Sequence, residues 1–209
     1  MSVPRPGKII GIGRNYRAHA AELGHAVPAE PLLFLKPPSA VIGDGQPIVL
    51  PAESAQVDFE AEIGVVIGTP LRRVGADVAG AGIAGLTCVN DVTARDLQRS
   101  DEQWTRAKGF DTFCPIGPRV VALDPGRWDE LEVVCRVNGA ERQRGRARDM
   151  VVTIPALVAY VSRVMTLEPG DLIMTGTPAG VGPLHAGDVV EVEIPGVGVL
   201  RNPVVAEGR

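Results

Sequence analysis

The chain is poor in cysteine: Cys88, Cys114 and Cys135 are an odd number at wide spacing with no C-x-x-C. This excludes a disulfide framework and a cysteine-built zinc site, and leaves three core thiols as the expectation. Long apolar runs are missing too. No stretch approaches the roughly 18 residues of a membrane span, and Met1 to Lys8 has no apolar signal core, so a cytoplasmic location is expected. Positive charge is in short supply, with 21 Lys and Arg against 25 Asp and Glu, a net charge of −4. With no basic stripe, neither nucleic acid nor an anionic membrane is an expected partner. There is no internal repeat and no low-complexity linker. Nucleotide-binding glycine loops are also absent. Gly11-x-Gly13 lacks its third glycine because Tyr16 stands there, and the loop from Thr175 to Gly182 has no G-K-[ST].

What the chain does have is glycine and proline, 25 and 18 residues spread over 209 positions. That distribution favours many short strands joined by tight turns over a helical bundle. The length suits one sizeable core and a single domain spanning 1–209.

The most informative stretch is Val57-Asp58-Phe59-Glu60-Ala61-Glu62-Ile63-Gly64-Val65-Val66-Ile67. Alternation on a strand places Asp58, Glu60 and Glu62 on one face and Val57, Phe59, Ala61 and Ile63 on the other. A solvated acidic edge is the ordinary outcome of such alternation. Here the run turns wholly apolar from Ile63, so the acids stand at the mouth of a buried strand, where unpaired charge is costly. A hard divalent cation such as Mg²⁺ or Mn²⁺ would relieve that cost. The apolar run Ile83 to Val89 ends in Asn90-Asp91, which makes Asp91 a candidate third ligand.

Around this strand the rest of the chain reads in order. Lys8 to Gly13 reads as a strand ending in a glycine turn, and Tyr16 to Leu23 as a short helix stopped by Gly24. On that helix His19 and Glu22 are spaced i, i+3, so the carboxylate can orient the imidazole as a general base; a surface pair is the commoner outcome of that spacing alone. Pro28 to Pro38, with Lys36 inside, suggests a loop or lid around a short strand. Thr93 to Arg99 looks helical, with Arg95 and Asp96 pairing locally. Trp104 to Pro118 sets aromatics and glycines around Lys108, a cation placed for a substrate carboxylate or oxyanion, or for a salt bridge to Asp111. Asn138-Gly139 after Leu131 to Val137 is a hairpin signal. Arg142, Arg144, Arg146 and Arg148 alternate as in a solvated strand. Ile154 to Met165 is an amphipathic helix with Pro155 in its first turn. The loop Thr175 to Gly182 offers backbone N–H groups and two threonine hydroxyls that could cradle a carboxylate, and two short strands, Asp188 to Ile194 and Gly196 to Val205, close the chain.

Taken in order, G-R-N-Y-x-x-H-x-x-E, L-F-L-K-P, D-F-E-x-E-I-G-V-V-I-G, N-D-V-T-A-R-D-L-Q, W-T-R-A-K-G-F-D-T-F-C-P-I-G-P and L-E-P-G-D-L-I-M-T-G-T-P-A-G-V-G resemble the fumarylacetoacetate hydrolase family, in its compact single-domain form. The resemblance runs from Lys8 to about Val204. It implies an α+β, mostly β fold: a mixed β-sheet rolled on itself with short flanking helices, usually as a homodimer. It divides the domain into 1–40, carrying the first strand and a lid-like helix, and a metal-binding core over 41–209. It also implies Mg²⁺ or Mn²⁺ on Glu60, Glu62 and Asp91, with Asp58 outside the ligand set or solvated. Catalytic roles fall on Lys108 and on the His19–Glu22 dyad, and substrate contacts on Arg14, Gln98 and Thr177. One departure is Arg146-Ala147-Arg148 before Asp149-Met150, where the family often has N-T-S or a similar polar run.

The expected activity is metal-assisted hydrolysis of a carbon–carbon bond in a β-diketo acid such as an acylpyruvate or fumarylpyruvate. In this scheme His19 activates water and Lys108 steadies developing oxyanion charge. Isomerisation or decarboxylation of a hydroxymuconate-type dienoate, or decarboxylation of oxaloacetate, passes through the same enolate and is the alternative. A catalytically silent metal-binding homologue is a third reading, which retention of every one of these side chains disfavours.

Overall fold

The computed structural model describes residues 5–208; Met1 to Pro4, within the stretch read for a signal core, and Arg209 lie outside them. The elements run β1 (Ile9–Gly13), α1 (Arg17–Glu22), β2 (Leu32–Lys36), β3 (Val41–Ile42), β4 (Ile48–Leu50), β5 (Val57–Phe59), β6 (Ala61–Ile67) and α2 (Ala76–Ala79). They continue with β7 (Ile83–Asn90), β8 (Thr93–Ala94), α3 (Arg95–Ser100), α4 (Thr105–Gly109), β9 (Cys114–Val121), β10 (Glu132–Val137) and β11 (Ala140–Arg146). Last come α5 (Ile154–Val164), β12 (Leu172–Met174), β13 (Gly182–Pro183), β14 (Val189–Ile194) and β15 (Gly198–Ala206).

The fold is mostly β, a curled mixed sheet with short helices around it. Seven strands run in the order β2-β1-β12-β6-β7-β9-β3, five in the order β11-β10-β14-β15-β4, and three in the order β13-β5-β8. The centre of the large sheet explains the unbroken apolar runs. All seven residues of β6 are buried, with Ile173 of β12 opposite Val65 on one side and Cys88 of β7 opposite Ile63 on the other. A strand covered on both faces has no polar side to show. Gly64 in its middle is a packing requirement, because a Cβ there would fall 2.5 Å from Val89 Cγ2.

Local chemistry accounts for the remaining elements. Asn138 (φ 53°) and Gly139 (φ 77°) both take the left-handed turn conformation that closes β10 on β11. Along β11 Gln143 and Gly145 turn inward while the arginines face solvent, where Arg144 pairs with Glu141 and Glu132. The α5 helix begins with Pro155 in its first turn and buries Leu157, Val158 and Val161. Cys88, Cys114 and Cys135 are buried free thiols, each pushed up to about 12 by burial. Among the described residues no helix is long and apolar enough to cross a membrane.

The short strand expected inside Pro28 to Pro38 is β2, an outer strand of the large sheet, paired with β1 from Ile9↔Lys36 to Gly13↔Leu32. One reading changes. Thr93 to Arg99 begins as the short strand β8, which pairs with β5, and turns helical only at Arg95.

Candidate active site

The acidic strand is interrupted where it matters. Glu60 sits in a break between β5 and β6, its N–H on the Asn90 side-chain oxygen (2.9 Å) and its carbonyl accepting from the Asp91 N–H (2.8 Å). Because Ala61 is in register with Asn90, the residues just outside the two strands, Glu60 and Asp91, come together beside Glu62. One carboxylate oxygen from each of the three lies within 4.8 Å of the others, and all three residues are buried.

Three cations surround them, and the sequence pointed to one. Lys108, fully buried on α4, donates to Glu60 Oε2 at 2.9 Å and to Asp91 Oδ2 at 2.5 Å, so the alternative pairing with Asp111 is not formed. Lys36 donates to Asp91 Oδ1 at 2.6 Å and to the Val92 carbonyl at 3.0 Å. Its signal was a lone charge in an apolar run, L-F-L-K-P, within a segment expected to be a loop or lid around a short strand, and no role was read for it. Arg95 also does more than pair locally. Its guanidinium reaches Asp58 (2.9 Å), Glu60 (2.6 Å) and the Gln98 side-chain oxygen (2.6 Å) at once. Asp58 is accordingly not solvated: it is 3% exposed and held by Arg95 and Gln56. Planar five-donor geometry is what lets one arginine serve three acceptors.

Electrostatics separates the two glutamates. Burial works against ionisation of Glu60, but Lys108 and Arg95 outweigh it and hold the group well below the usual carboxylate range. Glu62 is pushed well above that range by burial and by the charges of Asp91 and Glu60. Its partner is a backbone donor, the Gly176 N–H at 2.7 Å, and among the described residues it forms no ion pair. Four buried carboxylates, Asp58 included, thus face three cationic side chains. A divalent cation on Glu60, Glu62 and Asp91 fits this set: it brings positive charge to the one acid without it, and all-oxygen donors suit a hard ion.

The dyad closes another side. His19 is buried, with Nδ1 3.4 Å from Glu22 Oε2, leaving Nε2 as the nitrogen without a partner among the described residues. Glu22 is itself fixed by the Gly180 N–H, at 3.0 and 3.1 Å to its two oxygens. The glycine-rich loop therefore cradles the chain's own carboxylates, Glu62 through Gly176 and Glu22 through Gly180. The Thr177 hydroxyl donates to the Ala61 carbonyl (2.9 Å) and accepts from Gln143 (2.8 Å). Arg14, in the left-handed region at φ 59°, makes no ion pair among the described residues.

His19, Glu60, Glu62, Asp91, Lys108, Arg14, Gln98 and Thr177 line one cavity of about 30 Å³, together with Ile12, Gly13, Phe34 and Trp104. Of the nine residues singled out from the sequence, Glu22 alone stands behind the wall, acting through His19. A wider groove of about 610 Å³, lined by Leu123, Arg127, Glu130 and Arg148 among others, contains none of them.

A mostly β fold with a buried carboxylate triad able to take a divalent cation, and with Lys108 and His19 at the same cavity, is the frame of an enzyme site. The chain belongs to the fumarylacetoacetate hydrolase family, whose sequence model, described as fumarylacetoacetate (FAA) hydrolase C-terminal, matches residues 8–205. The 5-carboxymethyl-2-hydroxymuconate delta-isomerase of Mycobacterium smegmatis superposes with a TM-score of 0.91 at 50% identity, covering 99% of this chain and 82% of that one. The fumarylacetoacetate hydrolase of Exiguobacterium antarcticum gives 0.88 at 41% identity, covering 97% and 76%. The mitochondrial oxaloacetate tautomerase FAHD2A of Bos taurus is 44% identical over 97% of this chain and 68% of its own length.

Proposed function

We propose that this chain is a divalent-metal-dependent enzyme that moves a proton at the carbon beside the 2-oxo group of a keto acid, a keto–enol tautomerisation or double-bond isomerisation. The observation that carries this reading is the buried imidazole of His19, its Nδ1 turned to Glu22, opening onto the same small cavity as Glu60, Glu62 and Asp91. The bovine and mycobacterial relatives, named as a tautomerase and an isomerase at 44% and 50% identity, support it.

Glu60, Glu62 and Asp91 would hold Mg²⁺ or Mn²⁺, which when bound supplies Lewis-acid polarisation of a 2-oxo acid. The chain's own groups do the rest. His19 Nε2 takes a proton from one end of the three-atom keto–enol system and returns it at the other, with Glu22 keeping the opposite face of the ring occupied. Lys108 lends its charge to oxygen where negative charge develops, while its bonds to Glu60 and Asp91 keep those two carboxylates apart and aimed. Arg14, which forms no ion pair among the described residues, receives a substrate carboxylate, and Gln98 is held for contact by Arg95.

Hydrolytic cleavage of a β-diketo acid such as an acylpyruvate is the second reading. The same dyad could activate a water, and a volume of about 30 Å³ has room for one. It draws further support from the relative named as a hydrolase. Parallel assays with Mg²⁺ of oxaloacetate, a 2-hydroxydienoate and acetylpyruvate separate the two. The expected result is loss of enol absorbance with no carbon–carbon cleavage, abolished by His19→Ala with metal affinity intact. Stoichiometric pyruvate release from acetylpyruvate would favour hydrolysis, and turnover unaltered in His19→Ala would defeat both.

A further inference from the structure

Gln143 is 1% exposed, and its side chain joins two distant stretches of the chain. Its Oε1 accepts from the Ala61 N–H at 2.9 Å, and its Nε2 donates to the Thr177 hydroxyl and to the Pro178 carbonyl, both at 2.8 Å. A backbone N–H can only donate and a carbonyl only accept, so these partners admit one orientation of the amide. The Thr177 hydroxyl in turn donates to the Ala61 carbonyl at 2.9 Å. Ala61, Gln143 and Thr177 thus close a ring of hydrogen bonds, and all three residues are buried.

The ring stands in for a missing strand. β12 ends at Met174, opposite Gly64, so the strand neighbour of Ala61 is on its β7 side, where it faces Asn90. Side chains carry the other side of the ladder onward: Thr175 reaches the Ile63 carbonyl, and Thr177 and Gln143 take the carbonyl and the N–H of Ala61. Gln143 arrives from the five-stranded sheet. It lies on β11 beside a bulge, where Cys135 faces Gln143, Arg136 faces Glu141 and Arg142 is the extra residue. Just beyond it, β11 lies so near the loop that a Cβ on Gly145 would stand 2.5 Å from Pro178 Cβ.

Ala61 is the residue between Glu60 and Glu62. Its N–H belongs to the peptide plane shared with Glu60, and its carbonyl to the plane shared with Glu62. Fixing both planes fixes the base from which each carboxylate is aimed. Resting on the reading of Glu60, Glu62 and Asp91 as ligands of a divalent cation, we infer that Gln143 is a positioning residue of that centre. It acts through Ala61 and Thr177, holding the two peptide units so that Glu60 and Glu62 converge on one point.

Titration calorimetry of the full chain with Mg²⁺ tests this without any turnover. Gln143→Met keeps the length of the side chain and loses its bonds to Ala61, Thr177 and Pro178. The Mg²⁺ Kd should rise about 10–100-fold, the range typical of groups that orient metal ligands. Mn²⁺ bound to this variant should give a broadened paramagnetic resonance spectrum, because the two carboxylates no longer share one geometry. A structural role alone would lower the melting temperature of the metal-free chain and leave Kd and line shape as they were. Should Gln143→Met fail to fold, Thr177 supplies a second arm. Thr177→Val, of the same shape without the hydroxyl, should raise the Kd, and Thr177→Ser, which keeps the hydroxyl, should hold it within about twofold. Unchanged Mg²⁺ affinity in Gln143→Met, or a loss in Thr177→Ser as large as in Thr177→Val, would overturn the inference. Absence of Mg²⁺ binding by the unmodified chain would instead overturn the ligand reading, and the inference with it.

Discussion

Lys36 Nζ donates to Asp91 Oδ1 at 2.6 Å, and this bond ties an outer strand of the seven-stranded sheet to the residue just past the end of β7. Lys108 takes the other oxygen of the same carboxylate. Asp91 is thereby fixed by cations from two distant parts of the chain, with neither lysine exposed to water.

Lys36→Met should therefore be costly out of proportion to its small change in volume. Removing one partner of a buried ion pair typically costs about 3–5 kcal/mol. For a chain of this size that is a fall in melting temperature of roughly 6–20 °C. Differential scanning calorimetry reads it directly, and a loss no larger than that of a surface lysine would show that the pair contributes nothing.

Arg95→Lys keeps the charge but not the fork. A single ammonium cannot reach Asp58, Glu60 and Gln98 together, so Glu60 loses its fixed orientation. Groups that orient metal ligands typically cost about 10–100-fold in affinity when replaced. Mg²⁺ affinity by titration calorimetry should fall in that range, with Gln98 contacts to substrate weakened as well. Unchanged affinity would mean that Lys108 alone orients Glu60.

Metal binding should strengthen as pH rises. Glu62 is held well above its ordinary value by burial and by Asp91 and Glu60, so in the metal-free chain it retains its proton at pH values where a free glutamate is ionised. The metal takes the carboxylate form and must displace that proton. Apparent affinity is thus lowest at acid pH and climbs until the pH passes the raised value in the fold. The Mg²⁺-induced shift in melting temperature should grow as pH is raised above the ordinary carboxylate range, with proton release measurable in two buffers of different ionisation enthalpy. Binding that is independent of pH and releases no proton would contradict the assignment of Glu62 as a ligand.

Gly180→Ala and Gly187→Ala make a controlled pair. Both positions are left-handed, at φ +99° and +96°. A Cβ at Gly187 meets nothing within 4 Å, whereas one at Gly180 would stand 2.2 Å from the Arg142 carbonyl oxygen. The alanine at 187 should cost about 1–2 kcal/mol in urea unfolding, from backbone conformation alone. The alanine at 180 should cost clearly more, and should also slow proton transfer, because the N–H that holds Glu22 is displaced. Equal costs at the two sites would show that the loop gives way freely.

Much of this was legible in the sequence because it depends on neighbours along the chain. Strand alternation set Glu60 and Glu62 at the mouth of β6, where an apolar run takes over. Helical spacing paired His19 with Glu22, and Asn138-Gly139 closed its hairpin, since these outcomes follow from periodicity and allowed dihedrals. The end of the apolar run Ile83 to Val89 pointed to Asp91 and the aromatics around Lys108 pointed to that lysine, and the ordered motifs then resembled the family in which both positions carry a role. Lys36 and Arg95 escaped, and Asp58 was left undecided, for a common reason. Their partners lie 55, 35 and 37 residues away in the chain, and a lysine inside L-F-L-K-P carries no local mark of the carboxylate it will meet. Tertiary structure decided that, because a buried charge is stable only opposite its counter-charge, and the pairing of β6 with β7 and of β2 with β1 is what sets those charges face to face.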